Sequence, residues 1–180
     1  NDGTFLKNFK SSKTNILGIE PSKNVASVAK KNKINTTNKF FNLKTAKSLK
    51  KFTNKTDLIC AANAICHIPN LGDLIKGINT LLSKKGVFIF EEPYLGSMYE
   101  KTSYDQIYDE HIFIFSISSV KKIFDLFDLQ LIDVQKQDTH GGSMRYVIAR
   151  RGEYKIKKTV KKGLNYEKKN DIDNLKGCLK

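Results

Sequence analysis

Short apolar runs alternate along the chain with segments in which apolar residues recur at helical spacing. This alternation is typical of a parallel sheet covered by helices. The runs predict strands over residues 15–20, 36–41, 56–62, 86–91, 129–137 and 143–150. The helical spacing predicts helices over residues 22–31, 45–52, 70–83, 99–108 and 118–127. The strand over 56–62 is apolar from Leu58 to Ala62, so we expect it at the centre of the sheet. The predicted fold class is α/β, with helices on both faces of the sheet.

The start of the chain lacks a strand that the pattern requires. The sequence Asn1–Asp2–Gly3 stands directly before a helix-like stretch over residues 4–9. A glycine-containing turn between a strand and a helix is where α/β sheets bind nucleotide-like cofactors. We therefore expect the chain to begin inside a functional loop, with the first strand of its sheet missing. From residue 152 onward the chain is lysine-rich and amphipathic, so we expect one domain over 1–150 and the start of a second, truncated domain over 151–180.

The net charge of +14 raises the question of a nucleic-acid partner. Almost all of the positive charge is lysine, because arginine occurs only at positions 145, 150 and 151. Base recognition and phosphate clamps favour arginine, whose planar group bonds in pairs. The scattered lysines indicate a solvated surface, so no specific nucleic-acid partner is predicted.

The spacing of the cysteines and the hydropathy of the chain indicate whether to expect a metal site, an oxidising compartment or a membrane-spanning segment. The three cysteines, Cys60, Cys66 and Cys178, show no C-x-x-C spacing and no zinc pattern. A reducing cytoplasm is the natural expectation. No apolar run approaches the ~20 residues that cross a bilayer, so no membrane partner is expected.

Glu20 is the first candidate for cofactor binding. It ends a predicted strand seventeen positions after Gly3. An acid at the end of the second strand of such a sheet accepts hydrogen bonds from the ribose hydroxyls of a bound nucleoside. The spacing suits NAD and S-adenosylmethionine equally. The alternative is that Glu20 only caps the helix that follows.

Two further segments carry ionisable side chains. Asn63 and His67 follow the apolar strand, where side chains face the cleft, and their spacing of four puts them on one face of a helical turn. His67 could equally be a structural histidine. Tyr108, Glu110 and His111 lie in the densest ionisable cluster of the chain. A histidine, with an ordinary pKa of about 6.5, is the side chain best suited to remove a proton near neutral pH. The alternative is a polar helix end, and the spacing suggests no metal site.

The segment from His140 to Arg145 is the last candidate. Gly141 and Gly142 allow close backbone approach or positive φ, and Arg145 could grip a diphosphate with its two-pronged side chain. The alternative is a tight hairpin turn with a surface arginine.

Taken together, these segments resemble the sugar C-methyltransferases of deoxysugar biosynthesis, which have a class I S-adenosylmethionine-dependent fold. The matching segments are N-D-G at 1–3, G-I-E-P-S at 18–22, F-F at 40–41, N-A-I-C-H-I-P-N at 63–70, E-E-P-Y-L at 91–95, Y-D-E-H at 108–111 and H-G-G-S-M-R at 140–145. Asp109 departs from the family, which has histidine there. The resemblance implies a protein about twice this length, so we expect this piece to be inactive alone. The family's amino-terminal zinc module is not in this sequence, and zinc is expected only there.

The resemblance also implies a reaction and a set of site residues. S-adenosyl-L-methionine would be the cofactor, and a nucleotide-linked keto-sugar would lose a proton next to its keto group to His111 before methylation. The implied cofactor-binding residues are Asn1, Asp2, Gly3, Glu20, Pro21, Phe41 and Asn63. The implied catalytic residues are His111, Tyr108, Glu110 and His67. The implied substrate-binding residues are His140, Ser143 and Arg145.

Three alternatives remain open from the sequence. The first is a class I methyltransferase that acts on an oxygen or nitrogen nucleophile of a small molecule. The second is an NAD-binding Rossmann module, although such modules use G-x-G-x-x-G at the first turn and only Gly3 is present here. The third is a remnant without enzymatic activity.

Overall fold

Two sheets are formed by the residues that the computed structural model describes, 1–11 and 13–174. The strands are β1 (Gly18–Ile19), β2 (Thr36–Thr37), β3 (Thr56–Ala62), β4 (Leu82–Pro93), β5 (Leu129–Gln137) and β6 (Ser143–Arg150). The short parallel pair β1–β2 is one sheet, and the other has the order β3-β4-β6-β5. In it β3 and β4 run parallel, whereas β6 runs antiparallel to both β4 and β5. The predicted α/β class is therefore confirmed, with a mixed sheet.

The predicted central position of β3 is wrong for the described part of the chain. This strand lies at one edge of the larger sheet, and its residues Leu58 and Cys60 are exposed. An apolar run indicates that a strand is suited to burial, but it does not specify which strands pair with it. Among the described residues, no strand joins β3 to the β1–β2 pair. The strand expected before Asn1 stays a prediction.

Six α-helices of the described residues surround the sheets. They are α1 (Lys23–Lys31), α2 (Leu43–Ser48), α3 (Leu71–Leu81), α4 (Leu95–Lys101), α5 (Ile117–Asp125) and α6 (Lys158–Lys169). Side-chain caps lie at three of the starts, and at α2 the Asn42 side chain accepts a hydrogen bond from the Thr45 amide. Asn70 accepts a hydrogen bond from the Asp73 amide at the start of α3, and Ser116 and Ser119 form a capping box at the start of α5. Short 3-10 helices lie at Leu6–Phe9, Ile65–His67 and Thr139–Gly141.

The helix predicted over residues 99–108 is wrong. Helix α4 begins earlier, at Leu95, and ends where Thr102 adopts a left-handed conformation with φ of 52°. The chain from 103 to 111 forms turns, in which Tyr104 and Ile107 are 71% and 62% exposed. The apolar residues of this segment therefore do not form a face that the sheet buries.

Helix α6 packs against strand β5 of the larger sheet and against helix α5. Its Val160 joins the hydrophobic core, and its Glu167 is fully buried. The Glu167 carboxylate accepts hydrogen bonds from the Ile117 and Ser118 amides at the start of α5 and from the Tyr94 hydroxyl. Residues 158–169 thus pack as part of this unit. The predicted domain division at 150 stays a prediction, and Cys178 lies outside the described residues.

Aromatic rings fill the core between the larger sheet and its helices. Phe90 stacks on Tyr146 with 4.8 Å between ring centroids, and it lies 5.8 Å from Phe124 of α5. No helix in the described part of the chain is both long enough and apolar enough to span a membrane.

Candidate active site

The turn at the start of the chain contacts the acid that ends β1. The main-chain nitrogen of Asn1 lies 2.5 Å from Oε2 of Glu20. Gly3 has a φ of 91°, and a Cβ added to it would meet Cγ1 of Ile34 at 2.8 Å, so only glycine lets the turn pack this closely on Ile34. Asp2 accepts hydrogen bonds from the amide and hydroxyl of Thr4, which lower the pKa of its carboxyl.

Glu20 is placed to act as a hydrogen-bond acceptor. Burial opposes ionisation of its carboxyl, whereas the hydrogen bond from the Ser22 amide favours the ionised form. The Ser22 amide donates to Oε1 over 2.8 Å just before α1, and the first turn of that helix has no side-chain cap. Oε2 faces the turn instead. An ionised acceptor beside a glycine turn fits the ribose of a nucleoside cofactor.

The other residues predicted for the cofactor lie on separate elements. Pro21 is exposed next to Glu20, and its carbonyl accepts a hydrogen bond from the Asn38 side chain over 2.7 Å. Phe41 is half-buried against α3, where a Cβ added to Gly77 would come 3.3 Å from the Phe41 ring. Pro21 therefore lies at the turn, whereas Phe41 contacts a helix of the larger sheet.

Asn63 links the end of β3 to the loop that carries His140. It has a φ of 46°, and its amide donates to the Glu91 carbonyl over 2.9 Å. Its side-chain nitrogen lies 2.8 Å from Nε2 of His140, which accepts this hydrogen bond in the tautomer with a bare Nε2. A predicted cofactor residue and a predicted substrate residue are thus in direct contact.

The segment after Asn63 is held by Glu92, which the sequence reasoning missed. Glu92 is fully buried, and its Oε1 accepts hydrogen bonds from the amides of Ala64 at 2.9 Å and Ile65 at 2.7 Å. The carboxylate therefore fixes the backbone that leads to His67. Two successive acids at the end of an apolar strand are the only sequence signal for this role.

The 3-10 helix Ile65–His67 positions the ionisable cluster that follows α4. The Cys66 carbonyl accepts hydrogen bonds from the amides of Ile112 at 3.0 Å and Phe113 at 3.3 Å. Nδ1 of His67 lies 2.7 Å from the Glu110 carbonyl, and the rings of His67 and His111 have centroids 5.1 Å apart. The structure thus brings together His67 and His111, which are 44 positions apart in the chain.

The contacts of His111 define which of its nitrogens carries the proton. Nδ1 lies 2.8 Å from the Gln106 carbonyl, which can only accept, so Nδ1 is the donor. In the neutral ring Nε2 therefore bears the lone pair, and the Tyr108 hydroxyl donates to it over 2.8 Å. Glu110 contributes its carbonyl to the His67 contact, and its side chain is exposed, as is that of Asp109.

The loop from His140 to Arg145 is tied to β4. Arg145 donates from Nη2 to Oε2 of Glu91 over 2.9 Å and to Oε1 of Gln137 over 3.2 Å. Ser143 is fully buried, and its hydroxyl donates to the Thr139 carbonyl over 3.1 Å. In this arrangement Arg145 neutralises an acid and Ser143 supports the loop. Their substrate contacts stay predictions, and the burial of Ser143 does not favour one.

Comparison with known proteins gives a family and a fold. A family described as a methyltransferase domain matches residues 1–134. The C-methyltransferase NovU of Streptomyces niveus is 28% identical over 144 residues, which are 80% of this chain and 34% of NovU. The chain therefore spans about a third of the length of that curated relative.

Solved structures of two methyltransferases share the fold at low sequence identity. The S-adenosylmethionine-dependent methyltransferase from Clostridium acetobutylicum superposes with a TM-score of 0.61 at 16% identity, covering 84% of this chain and 81% of that one. The N-methyltransferase NodS from Bradyrhizobium japonicum, solved with S-adenosyl-l-homocysteine, gives a TM-score of 0.54 at 12% identity, covering 83% and 74%. The predicted cofactor, S-adenosylmethionine, is supported by these matches, and the NAD-binding alternative is not. This chain belongs to the methyltransferase domain family and has the class I S-adenosylmethionine-dependent methyltransferase fold.

Proposed function

We propose that the whole protein methylates a carbon next to the keto group of a nucleotide-linked deoxysugar, with His111 as the general base. The observation that carries the proposal is the tautomer of His111. Its Nδ1 donates to a backbone carbonyl, so its basic Nε2 faces the Tyr108 hydroxyl. A base fixed in this way is what removal of a proton from carbon requires.

The acceptor class follows from the need for a base. A carbon next to a keto group becomes a nucleophile only after it loses a proton, whereas many oxygen and nitrogen nucleophiles need no dedicated base. The relative NovU is a C-methyltransferase, which supports carbon as the acceptor. The identity of the sugar rests on the motif resemblance alone.

Residues at the carboxyl end of β1 would hold the cofactor. The turn of Asn1, Asp2 and Gly3 lies beside Glu20, whose carboxylate would accept hydrogen bonds from the ribose hydroxyls. When bound, S-adenosylmethionine supplies an electrophilic methyl group. The side chains of this chain orient the cofactor and prepare the carbon that attacks.

Proton transfer requires a rearrangement of Tyr108. The proton on the substrate carbon would pass to Nε2 of His111, and its bonding electrons would move onto the keto oxygen. Since Nε2 is already occupied by the Tyr108 hydroxyl, that hydroxyl must first turn away. The freed hydroxyl can then donate to the keto oxygen and stabilise its developing charge.

His67 differs from Tyr108 in what it can offer the substrate. Its Nδ1 donates to the Glu110 carbonyl, so in the neutral ring its Nε2 only accepts hydrogen bonds. It can therefore support a keto oxygen only when it is protonated. In its neutral form it is better suited to receive a proton than to give one.

The test uses His111→Asn in the full-length enzyme, with Asp109→Asn as the matched control. His111→Asn should keep cofactor and sugar-nucleotide binding but slow turnover by about two to four orders of magnitude, the usual contribution of a positioned base. It should also lose exchange of the substrate proton with deuterated water, followed by NMR. Asp109 is exposed next to the same segment, so its variant should retain turnover.

The chemical shift of a ¹³C-labelled methyl group in the product separates carbon from oxygen or nitrogen acceptors. A methyl group attached to oxygen or nitrogen would reject the proposed reaction. Near-normal turnover of His111→Asn would reject the assigned base.

A further inference from the structure

Three soft or borderline metal ligands lie together beside the proposed base. The Cys66 sulfur and one ring nitrogen from each of His67 and His111 all lie within 4.8 Å of one another. Cys66 is buried and the two histidines are half-buried, so the cluster is only partly open to solvent. The sequence predicted no metal here, because Cys66 and His111 are 45 positions apart and form no recognisable spacing.

Both histidines have the tautomer that metal coordination needs. Nδ1 of His67 donates to the Glu110 carbonyl over 2.7 Å, and Nδ1 of His111 donates to the Gln106 carbonyl over 2.8 Å. Metal-binding histidines almost always use one nitrogen in this way, which orients the ring and leaves the other nitrogen for the ion. In both rings Nε2 is the nitrogen left with a lone pair.

A buried carboxylate supplies negative charge at the same place. Oε1 of the fully buried Glu92 accepts two backbone amides, but its Oε2 is buried without a hydrogen-bond partner among the described residues. The Cys66 sulfur lies beside the Glu92 carboxylate, so a cation bound to that sulfur would be attracted to the buried acid.

We propose that Cys66, His67 and His111 bind a borderline-soft divalent cation of the Zn²⁺ type, and that the bound ion blocks His111 as a base. The second half of this proposal rests on the proposed function. Binding removes one proton from the Cys66 sulfur to solvent, and two neutral imidazoles and one thiolate then donate electron pairs to the ion. Three protein ligands leave a fourth position for water.

The site needs a small adjustment to close on an ion. Zinc–sulfur and zinc–nitrogen bonds of about 2.3 and 2.0 Å place tetrahedral ligands roughly 3.5 Å apart, so the side chains must approach by about an ångström. The Tyr108 hydroxyl must also leave Nε2 of His111, the same movement that proton transfer requires. Ion and substrate therefore compete for one lone pair.

Titration of the full-length protein with Co²⁺ tests the site without any assay of activity. A cobalt ion bound to a thiolate gives a near-ultraviolet charge-transfer band. The wild type should show this band with release of one proton from the site, and Cys66→Ala should lose it. The difference spectrum between these two proteins removes any contribution from other metal sites.

Cys60→Ala is the matched control, because Cys60 is exposed on β3 and lies outside the cluster. It should keep the band. Cys66→Ser offers a second variant if the alanine protein does not fold, and it should lose the band as well. An identical band in wild type and in both Cys66 variants would overturn the site.

The proposed inhibition of His111 by the bound ion is measured separately. Zn²⁺ should inhibit methyl transfer by the wild type, and Cys66→Ala should need at least tenfold more Zn²⁺ for the same inhibition. Equal inhibition of the two proteins would overturn the competition with the base. If the methyltransferase assay fails altogether, the proposed function fails, while the cobalt band still decides whether the site exists.

Discussion

The Tyr108 hydroxyl donates a hydrogen bond to Nε2 of His111 over 2.8 Å, and the two rings lie 4.1 Å apart. The hydroxyl thus occupies the lone pair that proton abstraction would use. In the proposed reaction the same hydroxyl turns away from Nε2 and donates to the substrate oxygen on which negative charge develops. In the proposed mechanism the two side chains act as a pair, in which each limits what the other can do.

Tyr108→Phe should lower the turnover number by about ten- to a hundredfold, because it removes one donor to the developing oxygen charge while it leaves the base in place. Cofactor affinity should not change. Tyr104→Phe is the control, since Tyr104 is 71% exposed in the same segment. Steady-state kinetics with the full-length enzyme make the measurement. Equal rates for wild type and Tyr108→Phe would remove the phenol from the mechanism.

Glu20→Ala should weaken S-adenosylmethionine binding by about 1–3 kcal/mol, the cost of leaving ribose hydroxyls without an acceptor. The structure favours this role because one Glu20 oxygen is already used by Ser22 and the other faces the turn. Titration calorimetry measures the change. Glu153→Ala, which alters only a peripheral contact of 3.8 Å to Lys84, should bind as the wild type does. Unchanged affinity in Glu20→Ala would exclude Glu20 from the cofactor site.

Residues with strong local patterns were predictable from the sequence. The bounds of β3, β5 and β6 match the prediction. In contrast β1 and β2 are only two residues long, although longer strands were predicted. Strand length depends on which neighbours pair with a strand, and this information is not local.

The most informative site contacts could not be predicted from local patterns. Glu92 binds the Ile65 amide 27 positions away, and Glu167 binds the Ile117 amide 50 positions away. An acid in a sequence is ordinarily a surface residue, and only the folded chain shows that these two are buried and accept hydrogen bonds from backbone amides. The clustering of Cys66 with His111 is equally non-local.

In Asp133→Asn, the free energy of unfolding should depend less on pH in the acid range than it does in the wild type. Burial opposes ionisation of Asp133, but hydrogen bonds from Lys157, Thr159 and Gln135 lower the pKa of its carboxyl in the folded state. The folded-state pKa thus lies below the unfolded value of about 3.9. The resulting stabilisation is therefore complete above that value and is lost as the pH falls through the lower, folded-state pKa.

Urea unfolding at several pH values measures this effect. The wild type should exceed Asp133→Asn by about 2 kcal/mol at neutral pH, the range for hydrogen bonds to a charged group, and the difference should shrink below pH ~4. Asp138→Asn is the control, because Asp138 is exposed at the end of the same hairpin. A difference that stays constant down to pH ~2 would show that the ionisation of Asp133 contributes nothing.

Gly142→Ala should destabilise the loop that carries His140 far more than Gly141→Ala does. Gly142 has a φ of 128°, and an added Cβ would lie 2.6 Å from Cβ and Oγ of Ser97. Gly141 also has a positive φ, of 74°, but a Cβ there would meet nothing within 4 Å. The first substitution combines backbone strain with a steric clash, so we expect a loss of about 2–5 kcal/mol. The second adds only left-handed strain, of about 1–2 kcal/mol.

The two glycine variants distinguish the effect of a steric clash from the effect of backbone strain in this loop. The Gly142 amide donates to the Thr139 carbonyl, and its carbonyl accepts from Tyr94, so a displaced Gly142 also moves the support of His140. The His140 contact with Asn63 should weaken with it, since it joins two separate loops over 2.8 Å. Urea unfolding gives the free energy of each variant. Equal losses for the two alanines would mean that Ser97 yields to the added methyl group and that glycine at 142 is required by backbone conformation alone.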